Sequence, residues 1–447
     1  MDRFQFGGTK LESFPLAAQR NAQVEHFAAL LDRTAAERLA ESPGKAVGDT
    51  AKSGAKRLRE ALNARRDRDL ASLLQMVALQ EELDWLCYKL YGLAPDLEFR
   101  DPDKLTPLRP GQRPFEITLA REDAERRAAL ARGEEPDQAP TAWFDRHGWE
   151  PVTTLDELPP EERRIVEARL ALTASDRNLN LIEQPAYKRR WYRPDYAAEE
   201  KSALQEWLSD RIEDWAKTRK EAFTVAKAVA ALQSEPDVLA VAEVLCGTPT
   251  FDLEALFAER IAAEAVPNNK HHVFKPAGLV KRAAWENTWE LQRREDAGEK
   301  VVPPVPPKYS SADFLRPEYW KQRGALDVPK ERFVTLTEVP GAEGREALFA
   351  WAGLTPRQRA KLLLTLDEQA ENEGRPLEDR IGMLYGAWFQ LPYVAWESEA
   401  AAAEFRAIIG DVVGSAGVSE SMLEAWAVAN PPPGKRGARG RRKAGAA

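Results

Sequence analysis

The chain has 447 residues, 43% hydrophobic and 30% charged, enough apolar side chain for about two to four packed domains. No run of about 18 apolar residues occurs and the first residues lack a basic-then-apolar leader, which points to a cytoplasmic protein without a membrane span. Two cysteines, Cys87 and Cys246, exclude a disulfide framework or a cysteine zinc site, and their apolar surroundings predict core positions.

The net charge of −8 is unevenly placed. Six cations (Lys435, Arg436, Arg439, Arg441, Arg442 and Lys443) and no acid lie in 434–447, which leaves −14 on the rest. An acidic body argues against a general nucleic-acid coat protein but allows a focused DNA- or RNA-contacting face.

In chain order, Val24, Phe27, Leu30, Leu31, Ala35 and Leu39 recur at helical steps, and Ser42-Pro43-Gly44 supplies a stop. A longer helix is predicted over 55–91, with Leu58, Leu62, Leu70, Leu73 and Val77 as one stripe and Leu79, Leu83, Leu86 and Leu90 continuing it. Gly92 stands where its C-cap is wanted and Pro95 follows. A short polar loop between the two predicts an antiparallel hairpin.

Nine prolines then interrupt 96–160, around a charged Ala-rich helix at about 120–132, so this stretch reads as a connector with little core. Further helices are expected from Pro160 to about Asn178, over 197–224, 238–245 and 253–265. The run Val301-Val302-Pro303-Pro304-Val305-Pro306-Pro307 must be extended and is expected to separate two packed units. Residues 331–336 make the best strand candidate, and helices return over 356–372, 377–389, 400–413 and 419–429. The fold class is mainly α: a helical hairpin spacer plus helical C-terminal domains, with minor β. No fixed-period repeat is visible.

Several chemistries fail on their residues. There is no Walker lysine loop and no strand–Gly-x-Gly-x-x-Gly–helix unit, so a doubly wound cofactor domain is absent from the sequence. Asn430-Pro431-Pro432 imitates the active-site motif of amino-methyltransferases, but position 433 is proline, which has no π-face to stack on a flipped base. Pro194-Asp195 with Glu199-Glu200-Lys201 imitates a nuclease metal site at too short a spacing for two strands, and acids there suit a helix N-terminus. His271-His272 reads as a solvated loop or a phosphate contact, and His26 and His147 are isolated.

Basic–aromatic interleaving is better represented. Tyr187-Lys188-Arg189-Arg190-Trp191-Tyr192-Arg193 alternates cations that neutralise phosphates with rings that stack on bases or guanidinium groups. The competing reading makes Trp191 and Tyr192 core anchors and the cations a solvated face. A second basic stretch, Lys52, Lys56, Arg57, Arg59, Arg65, Arg66 and Arg68, has the same two readings. The composition of the cationic tail predicts disorder.

Residues 4–16, FQFGGTKLESFPL, resemble the close of a target-recognition domain in large fused adenine methyltransferases, and 76–93, ending Leu90-Tyr91-Gly92-Leu93, resembles the helix that follows it. Residues 180–191, NLIEQPAYKRRW, with 309–314 and 326–333, are similar to the C-terminal region of the PglX family, the adenine-specific DNA methyltransferases of phage growth limitation and type 2 bacteriophage exclusion (BREX). The residue patterns and the resemblance together give a six-part order. Residues 1–20 would end a target-recognition domain, 21–95 form a helical hairpin spacer and 96–160 a Pro-rich, charged connector. Residues 161–300 would form a helical domain with the basic–aromatic segment, 301–429 a mostly helical C-terminal domain and 430–447 the tail.

It further implies that the complete protein transfers a methyl group from S-adenosylmethionine to adenine N6 in DNA. No catalytic, cofactor-binding or metal residue is carried over to this chain, because the matching motifs are not in it. A start inside the recognition domain implies a split gene, a misassigned start or a truncation. The expected role is non-catalytic: double-stranded DNA contact through Lys188, Arg189, Arg190, Trp191 and Arg193, with Lys56, Arg57, Arg65 and Arg66 second. Docking to a separate methyltransferase half or other phage-defence proteins is also expected. The alternative is a non-enzymatic helical protein-interaction scaffold, which the 13 Trp favour.

Overall fold

The Asn21 side chain opens the first helix, α1 (Ala22–Ala40), by accepting the Gln23 and Val24 N–H groups at 2.9 and 3.2 Å. The computed structural model describes residues 21–94, 96–272, 274–315 and 330–431. The expected recognition-domain remnant at 1–20, residues 316–329 with the resemblance at 326–329, and the tail beyond Pro431 lie outside them. The chain forms two compact units: Met1–Thr50 with Lys56–Ala203, and Ala51–Ala55 with Leu204–Ala447.

In the first unit α1 is followed by a short helix, α2 (Pro43–Thr50), where the sequence predicts only a stop. Pro43 does end α1, but proline is also the preferred first residue of a new helix, and Ser42 Oγ accepts the Lys45 N–H at 3.2 Å. The long helix α3 (Ala55–Leu90) runs antiparallel to α1. Arg38, near the end of α1, pairs with Asp69 at 2.8 Å, while Phe27 and Leu30, near its start, share a core with Leu73, Met76, Val77 and Leu79.

Residues 96–160 depart from the connector reading. Leu105 and Leu108 enter the α1–α3 core, Leu97 packs in a cluster with Trp85, and Ile117, Leu155 and Leu158 bury with Val166. Prolines suppress the periodicity from which a core is read, but they do not stop single apolar side chains from burying. The helix expected at 120 begins earlier, as α4 (Pro114–Ala131), again because proline fits a first helical position. It is followed by α5 (Trp143–His147), α6 (Pro160–Ser175) and α7 (Arg177–Ile182). Asp176 separates the last two by accepting the Asn178 and Leu179 N–H groups.

The division between the units falls within α8 (Tyr196–Arg219). That helix ends earlier than expected, and Phe223 instead exchanges two 2.8 Å backbone hydrogen bonds with Phe349. The second unit continues with α9 (Val225–Leu232), α10 (Pro236–Cys246) and α11 (Leu253–Glu264). Next come strand β1 (Ala265–Pro267), α12 (Asn268–His271) and α13 (Pro276–Asp296). The strand expected at 331–336 is β2 (Phe333–Thr335), which pairs parallel with β1 and antiparallel with β3 (Phe349–Trp351). Residues 301–307, expected to separate packed units, lie inside this one.

Arg332, buried beside β2, ties the sheet to two helices. It pairs with Asp210 and Glu213 of α8 and with Glu264 of α11, while Trp351 Nε1 donates to Glu213 at 3.0 Å. Helices α14 (Pro356–Asn372), α15 (Leu377–Phe389), α16 (Leu391–Glu397), α17 (Glu399–Ser415) and α18 (Glu420–Ala429) complete the unit. Their core holds Val334, Leu336, Leu363, Leu384, Phe405, Ile409 and Leu423. Cys87 is half-buried and Cys246 exposed, so the core position expected of Cys246 is corrected: it is the last residue of α10, before the Gly247 turn.

The Glu338 turn packs against α15, which approaches so closely that a Cβ on Gly382 would lie 2.3 Å from the Glu338 carbonyl oxygen. Burial pushes the Glu338 carboxyl up to about 7, although Asn268 donates to it at 3.1 Å and Arg359 attracts its ionised form. His272, half-buried, is a second such group. It stacks on Tyr393 at 3.7 Å between ring centroids and meets the Gln390 amide oxygen at 2.7 Å. Burial first, then the Arg359 charge, pulls it down to about 3. Both histidines thus depart from the solvated loop expected there: His272 is held by Tyr393 and Gln390, and His271 lies 3.4 Å from Glu331.

The two groups act on stability in opposite directions. Glu338 keeps its proton when folded, so stability falls as pH rises from 4.5 to about 7 and is level above. His272 refuses a proton when folded, so stability falls as pH drops from 6.5 to about 3. Glu338→Gln should therefore gain about 3 kcal/mol over the parent between pH 4.5 and pH 7.5, at roughly 1.4 kcal/mol per pKa unit. Urea unfolding at the two pH values measures it, and a constant difference would contradict the assignment.

Candidate nucleic-acid interface

The basic–aromatic segment leaves the end of α7 at Glu183 and reaches α8 at Tyr196. Helical spacing on α3 prepares its seat: Glu81, Asp84, Trp85 and Tyr88 recur at three- and four-residue steps and so share one face. Lys188 inserts there. Its Nζ lies 2.8 Å from Glu183 and from Asp84 and 3.5 Å from Glu81, with the Tyr88 and Phe115 rings each 5.7 Å away.

Neighbouring groups complete the cluster. Trp85 Nε1 donates to Glu81 at 2.7 Å, and Tyr88 OH donates to Glu183 at 2.7 Å. Burial alone would lower the Lys188 pKa, yet Glu81, then Glu183 and Asp84, hold it well above the usual lysine range. Burial also opposes ionisation of Glu81, but Lys188, Arg113 and Arg169 outweigh it and keep that carboxyl below its ordinary value. Glu183 goes the other way, raised by burial and by the Glu81 charge.

The next residue of α3, Glu82, forms a second buried centre. Arg169 of α6 grips it with two 2.8 Å hydrogen bonds, Arg100 Nε adds one of 2.7 Å, and the Arg169 guanidinium sits 5.3 Å from the Trp85 ring. A third pair, Arg113 with Glu116, leaves one Arg113 nitrogen to donate to the Arg189 carbonyl at 2.8 Å. Trp149 Nε1 donates to the Trp191 carbonyl at 2.9 Å, and the Arg193 N–H donates to the His147 carbonyl at 2.9 Å. Three backbone groups of the segment are thus pinned.

This arrangement sorts the expected contact residues. Lys188 is 5% exposed and surrounded by carboxylates, and Trp191 is buried with Phe27, Leu73 and Leu108, so neither is presented to a polyanion. Arg189, Arg190 and Arg193 are exposed, and they alternate with Tyr187 and Tyr192, which are 66% and 54% exposed. Arg189 stacks on Trp191 at 4.7 Å, and Tyr192 continues a ring stack through His147 to Trp143. His147, isolated in sequence, therefore has a structural role.

The second basic group is largely consumed within the unit. Arg65 is buried and pairs with Glu199, Arg66 grips Glu200 at 2.9 Å, and Arg59 reaches Glu200 at 3.0 Å. Arg57 pairs with Glu60, and Lys56 is exposed. Arg65 and Arg66 thus sit in ion pairs within the unit. The same contacts account for the nuclease-like acids: Glu199 and Glu200 face arginines, and Asp195 caps α8 by accepting the Ala198 N–H. Among the described residues no three His, Cys, Asp or Glu side chains gather to hold a metal.

Comparison with known proteins fits these residues into a family. The chain belongs to the DUF7008 family, a domain of unknown function, whose model matches residues 76–441. It is also homologous to adenine-specific DNA methyltransferases of the PglX family. Over 382 residues, 81% of the chain, it is 40% identical to the adenine-specific methyltransferase PglX of Streptomyces coelicolor, and it spans 30% of that protein. No solved structure matches the chain.

The buried centres set a stability test. Arg169→Ala leaves Glu82 desolvated without its bidentate partner and should cost about 3–5 kcal/mol in urea unfolding, whereas Arg169→Met with Glu82→Leu should cost much less. Equal losses would mean that shape, not charge, dominates there.

Proposed function

We propose that the chain is a non-catalytic, DNA-engaging module of a PglX-type adenine-specific DNA methyltransferase from a BREX or phage-growth-limitation defence system. In that reading the complete protein transfers a methyl group from S-adenosylmethionine to adenine N6. In the same reading the methyl donor is held outside the described residues: strand β1 passes through Pro267 into α12 without the glycine-rich turn that lets a helix N-terminus approach such a cofactor.

One observation carries the proposal. Arg189, Arg190 and Arg193 are exposed, interleaved with two exposed tyrosines, on a backbone pinned at Arg189, Trp191 and Arg193. Among the described residues no carboxylate pairs with Arg193. A phosphate meeting this edge finds cations already positioned, so little ordering entropy opposes contact. Lys188 serves from below by fixing the segment and does not touch the DNA. Lys56 and Arg57 form a secondary contact at the start of α3. The partners are double-stranded DNA and, through other surfaces, a separate methyltransferase half or further defence proteins, in the cytoplasm.

Fluorescence anisotropy of a labelled duplex across a salt series tests the edge, using the full chain and a version ending at Ala429. Arg189→Ala, Arg190→Ala and Arg193→Ala together should reduce the log–log salt slope by about 2–3, at roughly 0.9 per neutralised phosphate. A slope unchanged in the Ala429 version would remove the edge from the interface and leave the protein-interaction scaffold as the better account.

A further inference from the structure

We infer that residues 301–308 are a preformed polyproline-II ridge that docks into an aromatic-lined groove of a partner protein, with an acidic group at one end of that groove. The inference is independent of DNA binding.

The ridge is built on α13, a helix of 21 residues that buries only Gly278 and Leu279. The chain turns at Gly298 and returns along the helix, and two side chains capture its carbonyls. Trp285 Nε1 donates to Pro307 at 2.9 Å and Lys281 Nζ to Lys308 at 3.1 Å, while the Thr288 hydroxyl, which donates to Ala284 at 2.9 Å, lies 3.3 Å from the Pro304 oxygen. The far end is locked as well. Tyr309 stacks on Phe274 at 5.5 Å and lies parallel to Trp285, while Asp313 accepts from Lys281 at 2.8 Å and from the Ser310 N–H at 2.6 Å. Gly278 permits this closure, because a Cβ there would lie 2.3 Å from the Asp313 carbonyl oxygen.

From Val302 to Tyr309 exposure repeats every three residues, the period of polyproline II. Pro303, Pro306 and Tyr309 are half-buried, and Tyr309 marks theirs as the ridge packed on α13. Val302, Val305 and Lys308 form a second ridge, and Pro304 and Pro307 a third, all of them exposed. Val302 and Val305 are 89% and 94% exposed, so this ridge is open to a partner.

Grooves that read polyproline II take two adjacent ridges and leave the third outside. Here the third ridge is the one already held by the helix, so docking requires no rearrangement and little ordering cost. Lys308 extends the valine ridge and, among the described residues, pairs with no carboxylate, which places the acidic group of the partner beside it.

The probe is a purified, labelled SH3 domain with an acidic specificity pocket, titrated with the full chain by fluorescence anisotropy. Saturable binding is expected, weakened about tenfold or more by Val302→Asp with Val305→Asp, and also weakened by Lys308→Glu. The exposure of these positions keeps the variants folded, which circular dichroism and Tm verify. Absence of binding up to about 1 mM, or binding indifferent to the valines, would overturn the inference. So would self-association of the chain that Val305→Asp abolishes, since a second copy would then be the occupant.

Discussion

Two adjacent carboxylates on α3, Glu81 and Glu82, organise the first unit. Successive residues on a helix point about 100° apart, so the two side chains diverge and collect different cations. Glu81 shares Lys188 with Asp84 and Glu183, and Glu82 takes Arg169 and Arg100. Through these pairs α3 is joined to α6, to the 96–100 stretch and to the basic–aromatic segment. Lys188, Glu183 and Arg169 are buried with the two carboxylates, so removing Lys188 or Arg169 would strand the opposite charge away from water. The geometry that presents three arginines at the surface is therefore paid for inside.

The same economy recurs in the second unit with a different donor. Arg332 is an isolated cation beside a three-residue strand, and it gathers carboxylates from α8 and α11. Short strands bring few backbone hydrogen bonds, so side-chain pairs must set how the helices meet the sheet. Glu338 and His272 show the other response to burial: with no full counter-charge available, both are held neutral near pH 6.

Much of this fold was legible in the sequence. The three- and four-residue recurrence of apolar positions locates α1, α3, α14, α15 and α17, and Phe333-Val334-Thr335 marks β2. β1 and β3 carry three residues each, too few for alternation to register, and they exist because β2 lies between them. Helix α2 was hidden because Pro43 reads equally as an end and a beginning. The candidate site was legible in composition but not in allocation. Lys188 and Arg189 look alike in the chain, and only the acids on α3, about a hundred residues away, decide that one is buried and the other exposed. Glu199 and Glu200 likewise lie 134 residues from the arginines they neutralise.

The unbroken length of α3 has a consequence for how such a protein can change. Its 36 residues are fastened at Asp69, to Arg38 and Tyr196, and again at Glu81 and Glu82. Both fastenings are directional, so the helical phase between them is locked. One residue inserted there would turn everything beyond it by about 100° and swing both carboxylates away from their cations, whereas seven would restore the facing to within about 20°. Length variation among descendants should therefore collect in the loops and be excluded from this span, except in multiples that keep the turn.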